Sequence, residues 1–291
     1  MESLTSNIKD GQNGYPAENG YPGQNGRQVD PMPRSEAGKV VSEEVYWRDY
    51  YEHPDFNYEW NNGILEEKPM ADVRNAAIYR WLLIVLESYL TVNPIAQLVN
   101  LEIGFRLPLP QKISIRKPDL FAVRNDNPVP LHDLDRNYMG IVDLAIESLS
   151  DSTKQEVERD TVHKKSEYEG VGVQEYYILD ASRANMAFYH RTATGQYVPI
   201  VPVHGDVIRS TVLPGFQFRI RDLFQKPSLV ELSHIPTYRQ FILPEHQSAL
   251  AQLDATSAKL DATSAQLDAE RQKSARLLAK LRELGIAEDE L

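Results

Sequence analysis

The sequence predicts an α+β fold, a mixed β-sheet flanked by helices, with one long C-terminal helix of coiled-coil type. Three observations carry this. Short alternating segments are interleaved with stretches of helical periodicity. An Asn61-Asn62-Gly63 step joins two of those segments as a hairpin. From about Pro244 onward, leucines return every seven residues.

Taken in order, residues 1–39 are rich in Gly, Asn, Gln and Pro and duplicate the unit Asn-Gly-Tyr-Pro at 13–16 and 19–22. Such a composition buries too little apolar surface to offset chain entropy, so a disordered tail is expected. Ser42 is positioned to cap a short helix running to Tyr51. Phe56 to Trp60 and Ile64 to Glu67 form the arms of the hairpin. Asp72 caps a helix whose apolar positions Ile78, Trp81, Leu82, Val85, Leu86 and Tyr89 share a face and which stops before Pro94. Strand-like pieces follow at 96–107, 114–123 and 140–149, then a helix over 155–169. Further strands are expected at 175–179, 186–190, 197–203 and 216–220. All are assigned to one mixed sheet. In the tail, Leu253, Leu260, Leu267 and Leu281 fall on one heptad position and Leu250 and Leu278 on its partner. Ser257, Ser264, Arg271 and Ser274 interrupt the seam. The expected organisation is a tail at 1–39, a domain at 40–235, and a linker with the C-terminal helix at 236–291.

Composition removes several function classes. There are no cysteines, which excludes disulfides, thiolate catalysis and Cys-based metal sites and fits a cytoplasmic location. No apolar run approaches a membrane span, because Glu87 and Ser88 interrupt the longest stretch, and no signal pattern opens the chain. The histidines show no zinc spacing, and no Gly-rich phosphate loop occurs. The net charge of −11 places −1 on residues 1–39 and −3 on residues 245–291, leaving −7 on the segment between. Affinity for a nucleic acid therefore requires a local basic patch or bridging metal ions.

The residues able to carry chemistry lie in that middle segment. Asp119 follows Lys117-Pro118 and precedes the apolar run Leu120 to Val123, a place for either a turn residue or a site residue. In Val142 to Glu147, period-two alternation sets Val142, Leu144 and Ile146 on one face and Asp143, Ala145 and Glu147 on the other. A glutamate ending a buried strand needs a partner, solvent or a metal. Asp119 and Glu147 on adjacent strands would offer two hard oxygen ligands suited to Mg²⁺ or Mn²⁺. Asp160, Lys164 and Tyr168 recur at four-residue spacing on the following helix, so Lys164 is placed to reach the carboxylates, with Lys165 as its competitor. The plain structural alternative is an Asp119 turn, an exposed Glu147 and a surface pair between Lys164 and Asp160.

At these residues the sequence resembles the Uma2 family of restriction-endonuclease-like proteins, within the PD-(D/E)xK superfamily. The match is carried by Lys117-Pro118-Asp119-Leu120, the stretch from Ala145 to Thr153, Asp160-x3-Lys164-x3-Tyr168, and Gln174 to Asp180. Tyr58 to Leu65 resembles the opening hairpin and Leu213-Pro214-Gly215-Phe216 the closing segment. The resemblance implies a restriction-endonuclease-like core and a metal-dependent endonuclease hydrolysing DNA, with Asp119, Glu147 and Lys164 catalytic. Asp119 and Glu147 would hold Mg²⁺ or Mn²⁺, and Glu59 would be either an accessory acid or a cross-strand pairing residue. It also implies that the lysine stands on the helix, since Leu149 occupies the usual strand position, and it favours Lys164 over Lys165. Asn75 stands where the family often carries a histidine. DNA is the expected partner, with a homodimer through the C-terminal helix and no membrane. The alternative reading is a non-catalytic interaction protein working through its coiled coil.

Overall fold

The computed structural model describes residues 33–150 and 153–283. The chain divides into two units, Met1–Arg34 and Ser35–Leu291. The duplicated Asn-Gly-Tyr-Pro units fall outside the described residues, as does Asp151-Ser152.

Ser42 caps α1 (Glu43–Val45), which continues as a π-helical turn, Tyr46–Tyr50. Strands β1 (Tyr58–Asn61) and β2 (Ile64–Glu67) pair as the expected hairpin. Both turn residues have positive φ, 48° at Asn62 and 100° at Gly63, the pair of left-handed conformations that matches the strands' twist. Val41 and Gly38 hydrogen bond to the hairpin backbone at Gly63 and Leu65, so the chain from Gly38 lies along it. Asp72 caps α2 (Val73–Val92) by accepting from Asn75 N–H at 2.8 Å. The helix buries the expected stripe from Ile78 to Tyr89.

The expected single sheet is in fact several, because two of the expected strands each break in the middle. The 96–107 stretch divides into β3 (Ala96–Val99) and β4 (Phe105–Pro108). Between them Leu101 and Glu102 both adopt positive φ, which ends the extended run. The 114–123 stretch divides into β5 (Ile113–Arg116) and β6 (Leu120–Arg124) at Pro118, which has no N–H to give a ladder. Strands β2, β1, β5 and β4 form one four-stranded sheet.

The second sheet has six strands, in the order β10-β9-β8-β7-β6-β3. It adds β7 (Leu144–Ser148), β8 (Glu175–Leu179), β9 (Ala187–Arg191) and β10 (Tyr197–Pro199). It is mixed, because β7 and β8 run parallel while the other pairs are antiparallel. The crossover between the parallel strands is a helical stretch. It comprises α3 (Lys154–Glu158), a π-helical turn (Arg159–Lys164) and α4 (Lys165–Val171), ended by Gly172 at φ 99°. Strands β11 (Val207–Arg209) and β12 (Gln217–Arg219) make a small third sheet.

The six-stranded sheet is buried on both faces. Leu120, Ala122, Leu144, Ile146, Tyr177 and Leu179 pack beneath α2, together with residues from α5 (Ile220–Gln225), α6 (Leu229–Ser233) and Tyr238 to Ile242. Phe121, Ala145, Tyr176 and Ile178 face the other way, toward Tyr168 of α4 and Phe105 and Leu107 of β4. The 40-residue α7 (Pro244–Glu283) follows, and its Leu253, Leu260, Leu267 and Leu278 are exposed.

Candidate active site

The link Lys117-Pro118-Asp119 carries the chain from the four-stranded sheet to the six-stranded one, and the candidate residues gather where the two meet. In the β6–β7 ladder Leu120 pairs with Ile146, so Asp119 and Glu147 are the next positions outward on facing strands. Asp119 Oδ2 accepts from the Ser148 N–H at 2.6 Å. Alternation puts Glu147 on the Ala145 face, toward α4, as the sequence predicts.

Lys164 meets Glu147 there. Its ammonium stands 3.0 Å from Glu147 Oε1, 3.1 Å from Glu59 Oε1 and 3.3 Å from Asp160 Oδ1. The π-helical turn Arg159–Lys164 holds both Asp160 and Lys164 inward, a local widening found often at functional sites. Tyr168, one turn on, donates to the same Glu147 oxygen at 2.8 Å. Lys165, the competitor, points elsewhere and lies over the Tyr189 ring.

Charge in this cluster is unevenly distributed. Burial pushes the Glu147 carboxyl up to about 8, helped by Asp119 and Asp160, although Lys164 opposes it. Both Lys164 and Tyr168 donate to Oε1, so Oε2 is the oxygen left for a proton or a cation. Burial raises Asp160 as well. Glu59 behaves oppositely: burial would raise it, but Lys164 and Arg116 together hold it well below the usual carboxylate range. It accepts the Lys117 N–H at 2.9 Å and touches Arg116 at 3.1 Å. Lys164 stays an ammonium, because its three carboxyl neighbours outweigh its burial.

Of the expected triad, Glu147 and Lys164 are sealed, at 2% and 1% side-chain exposure, whereas Asp119 is 24% exposed. Asp119 and Ser148 line a cleft of about 400 Å³ together with Lys68, Asn57, Tyr79 and Glu102. Lys68 is one of two residues here that sequence reasoning missed. Its ammonium lies 2.8 Å from Asp119 Oδ1 and donates to the Lys117 carbonyl at 2.7 Å. It sits in the irregular link after β2, where no periodicity marks which way a side chain faces. Arg116 was also missed, and it had a signal, since Ser114 and Arg116 alternate with Ile113 and Ile115. Fully buried, it grips Glu167 with two hydrogen bonds of 2.6 and 2.9 Å and also meets Glu66. Asn75, at the position of the family's frequent histidine, is buried, and its side chain accepts from the Ala181 N–H at 2.8 Å.

The donor set fits a hard divalent cation. Asp119 and Glu147 offer carboxylate oxygens at facing strand positions, and the Ser148 Oγ beside them is buried without a hydrogen-bond partner among the described residues. Among those residues no three acidic or histidine side chains make a ready cage. Mg²⁺ is commonly held by one or two carboxylates, with water and substrate oxygens completing its shell.

The two carboxylates and the helix-borne lysine thus stand where the mixed sheet meets the second sheet. The Uma2 family model, described as "Putative restriction endonuclease", matches residues 44–221, and the chain belongs to this family. Among solved structures, the chain is similar to a crystal structure from Anabaena variabilis described as "a putative nuclease belonging to DUF820". The identity is 18% and the TM-score 0.45, covering 58% of this chain and 90% of that one. No curated protein matches. No helix among the described residues is long and apolar enough to cross a membrane.

Proposed function

We propose that the chain is a divalent-metal-dependent endonuclease that hydrolyses DNA phosphodiester bonds. In this reading Asp119 and Glu147 hold the metal, Lys164 is the lysine of the site and Glu59 its accessory acid. The observation that carries it is the Lys164 ammonium 3.0 Å from Glu147 Oε1, on the strand position facing Asp119. Mg²⁺ or Mn²⁺ bound there supplies a Lewis acid and lowers the pKa of the attacking water.

The chain's own residues prepare that step. Lys164 and Tyr168 fix Glu147 through Oε1, so that Oε2 would be the oxygen to hold a cation. Glu59 anchors Lys164 from the other sheet and is itself locked by Arg116 and the Lys117 N–H. The Lys164 charge, held in a dry setting, offsets negative charge that builds on the phosphate. Asp119, open to the cleft, is the carboxylate that meets solvent and substrate.

The test is nicking of supercoiled DNA by the purified full chain with Mg²⁺ or Mn²⁺. Cleavage should stop in EDTA and in Glu147→Gln, whose side chain keeps its shape but not its charge. Cleavage that persists in EDTA removes the metal reading, and an inert protein with normal metal binding favours the second reading.

That second reading, an interaction protein working through its helix, has one observation of its own. Leu253, Leu260 and Leu267 repeat every seven residues along α7 and all are exposed. We read this face as half of a coiled coil with a second copy of the chain, which serves either function. A cytoplasmic location suits a cysteine-free chain acting on DNA.

A further inference from the structure

Among the described residues, Lys68 is the one cation that lines the cleft and touches Asp119. It is 9% exposed; its ammonium pairs with Asp119 Oδ1 at 2.8 Å and donates to the Lys117 carbonyl at 2.7 Å. Glu102 Oε2 lies at 3.7 Å, too far for a hydrogen bond but close enough to attract. An ammonium surrounded by two carboxylates and a backbone carbonyl sits among the oxygen ligands that a hard divalent ion also chooses.

Glu102 is held at its place by an unusual backbone. Leu101 and Glu102 have φ of 59° and 71°, two consecutive left-handed residues that are neither glycine nor asparagine. Leu101 is 84% exposed, so its side chain packs too little to hold the conformation. The turn is instead tied through Glu102, whose carboxylate bonds Asn57 on the cleft wall. Backbone strain of this kind gathers at clefts and ligand sites.

We propose that Lys68 is a tethered cation that occupies Asp119 while the site is empty of metal and must release it before a divalent ion binds. The inference rests on Asp119 and Glu147 being metal ligands and adds a competitor for one of them. Glu102 is the second carboxylate to which the released ammonium turns, so that the charge remains at the cleft wall, facing the substrate. Held on Asp119, the lysine keeps the carboxylate pair from repelling itself open. Its cost is weaker metal affinity.

A lysine with a purely structural role would, on removal, leave metal affinity unchanged or lower it, so the sign of the effect decides. The experiment is calorimetric titration of the full chain with Mn²⁺ alone, comparing wild type, Lys68→Met and Lys68→Gln. The glutamine amide still donates to the Lys117 carbonyl, so it preserves the local fold if the methionine variant fails to fold. Each foldable neutral variant should bind Mn²⁺ about tenfold more tightly than wild type, the effect of removing one close competing charge. Lys68→Arg, which keeps the charge, should not. Unchanged or weaker binding in the neutral variants, with binding still abolished by Asp119→Ala, overturns the role of Lys68 and leaves the metal site standing. No Mn²⁺ binding by wild type or either neutral variant overturns the metal reading itself, and this proposal with it.

Discussion

Lys164 shows how one side chain organises the site. It lies among Glu147, Glu59 and Asp160, all within 3.3 Å, in a region closed to water. Removing one partner from a buried ionic group leaves the others uncompensated, at about 3–5 kcal/mol. Lys164→Met should therefore lose about that much stability in a guanidinium titration. At permissive temperature it should also lose nicking by a factor of about 10²–10³, the scale of removing one preorganised charge from a transition state. Glu147→Gln separates the two effects. It keeps the hydrogen bonds from Lys164 and Tyr168, so its melting point should stay close to wild type while Mn²⁺ binding disappears. A Glu147→Gln protein that still binds Mn²⁺ normally would exclude Glu147 as a ligand.

At the scale of elements, Arg116 joins β5 to β1, β2 and α4 through Glu59, Glu66 and Glu167. This link sets the four-stranded sheet against the helix that delivers Lys164. Burial pushes Glu167 up, but the Arg116 hydrogen bonds and charge, with Lys112, hold it below its usual 4.5. A depressed carboxylate adds stability that is present above the unfolded pKa and lost as pH falls through the folded one. The melting temperature should therefore fall on acidification below about pH 4.5. In Arg116→Met the three carboxylates lose their shared counter-charge, leaving Glu59 to Lys164 and Glu167 to Lys112. That variant should be destabilised at neutral pH by about 3–5 kcal/mol, and mild acid should recover part of the loss. Parallel pH–melting curves for the two proteins would refute the network.

At the scale of the molecule, no buried core residue among those described lies on α7, and the last of them along the chain are Tyr238, Phe241 and Ile242. Deleting residues 244–291 should leave the melting temperature of the remainder within a few degrees. The same deletion should bring the mass read by light scattering to below half, since both the partner and the tail are lost. Leu260→Lys should act likewise, since a charge on the seam opposes pairing. A full-length protein already monomeric at micromolar concentration would dismiss the coiled coil. The net −7 on residues 40–244 means that the full chain's nicking should fall steeply without divalent ions, with monovalent salt unable to replace them.

The sequence by itself determined the local pieces. The Asn62-Gly63 turn, the Asp72 cap, the buried stripe of α2 and the alternation that turns Glu147 away from Leu144 and Ile146 all depend on neighbours a few residues apart, where periodicity and turn chemistry act. The family too was legible, because its motifs fall in order along the chain. Only the tertiary structure decided how the strands divide between sheets, since Pro118 and the Leu101-Glu102 turn break extended runs that look continuous. It also decided what stands beside the carboxylates. Lys68 reaches Asp119 and Glu59 reaches Lys164 from segments 50 or more residues away, and Arg116 ties Glu59 to Glu167, 51 residues on, by burial of charge that local patterns mark only in part. The ammonium of Lys68 on Asp119 is a contact between an irregular link and a strand entrance, and it exists only once the two sheets have met.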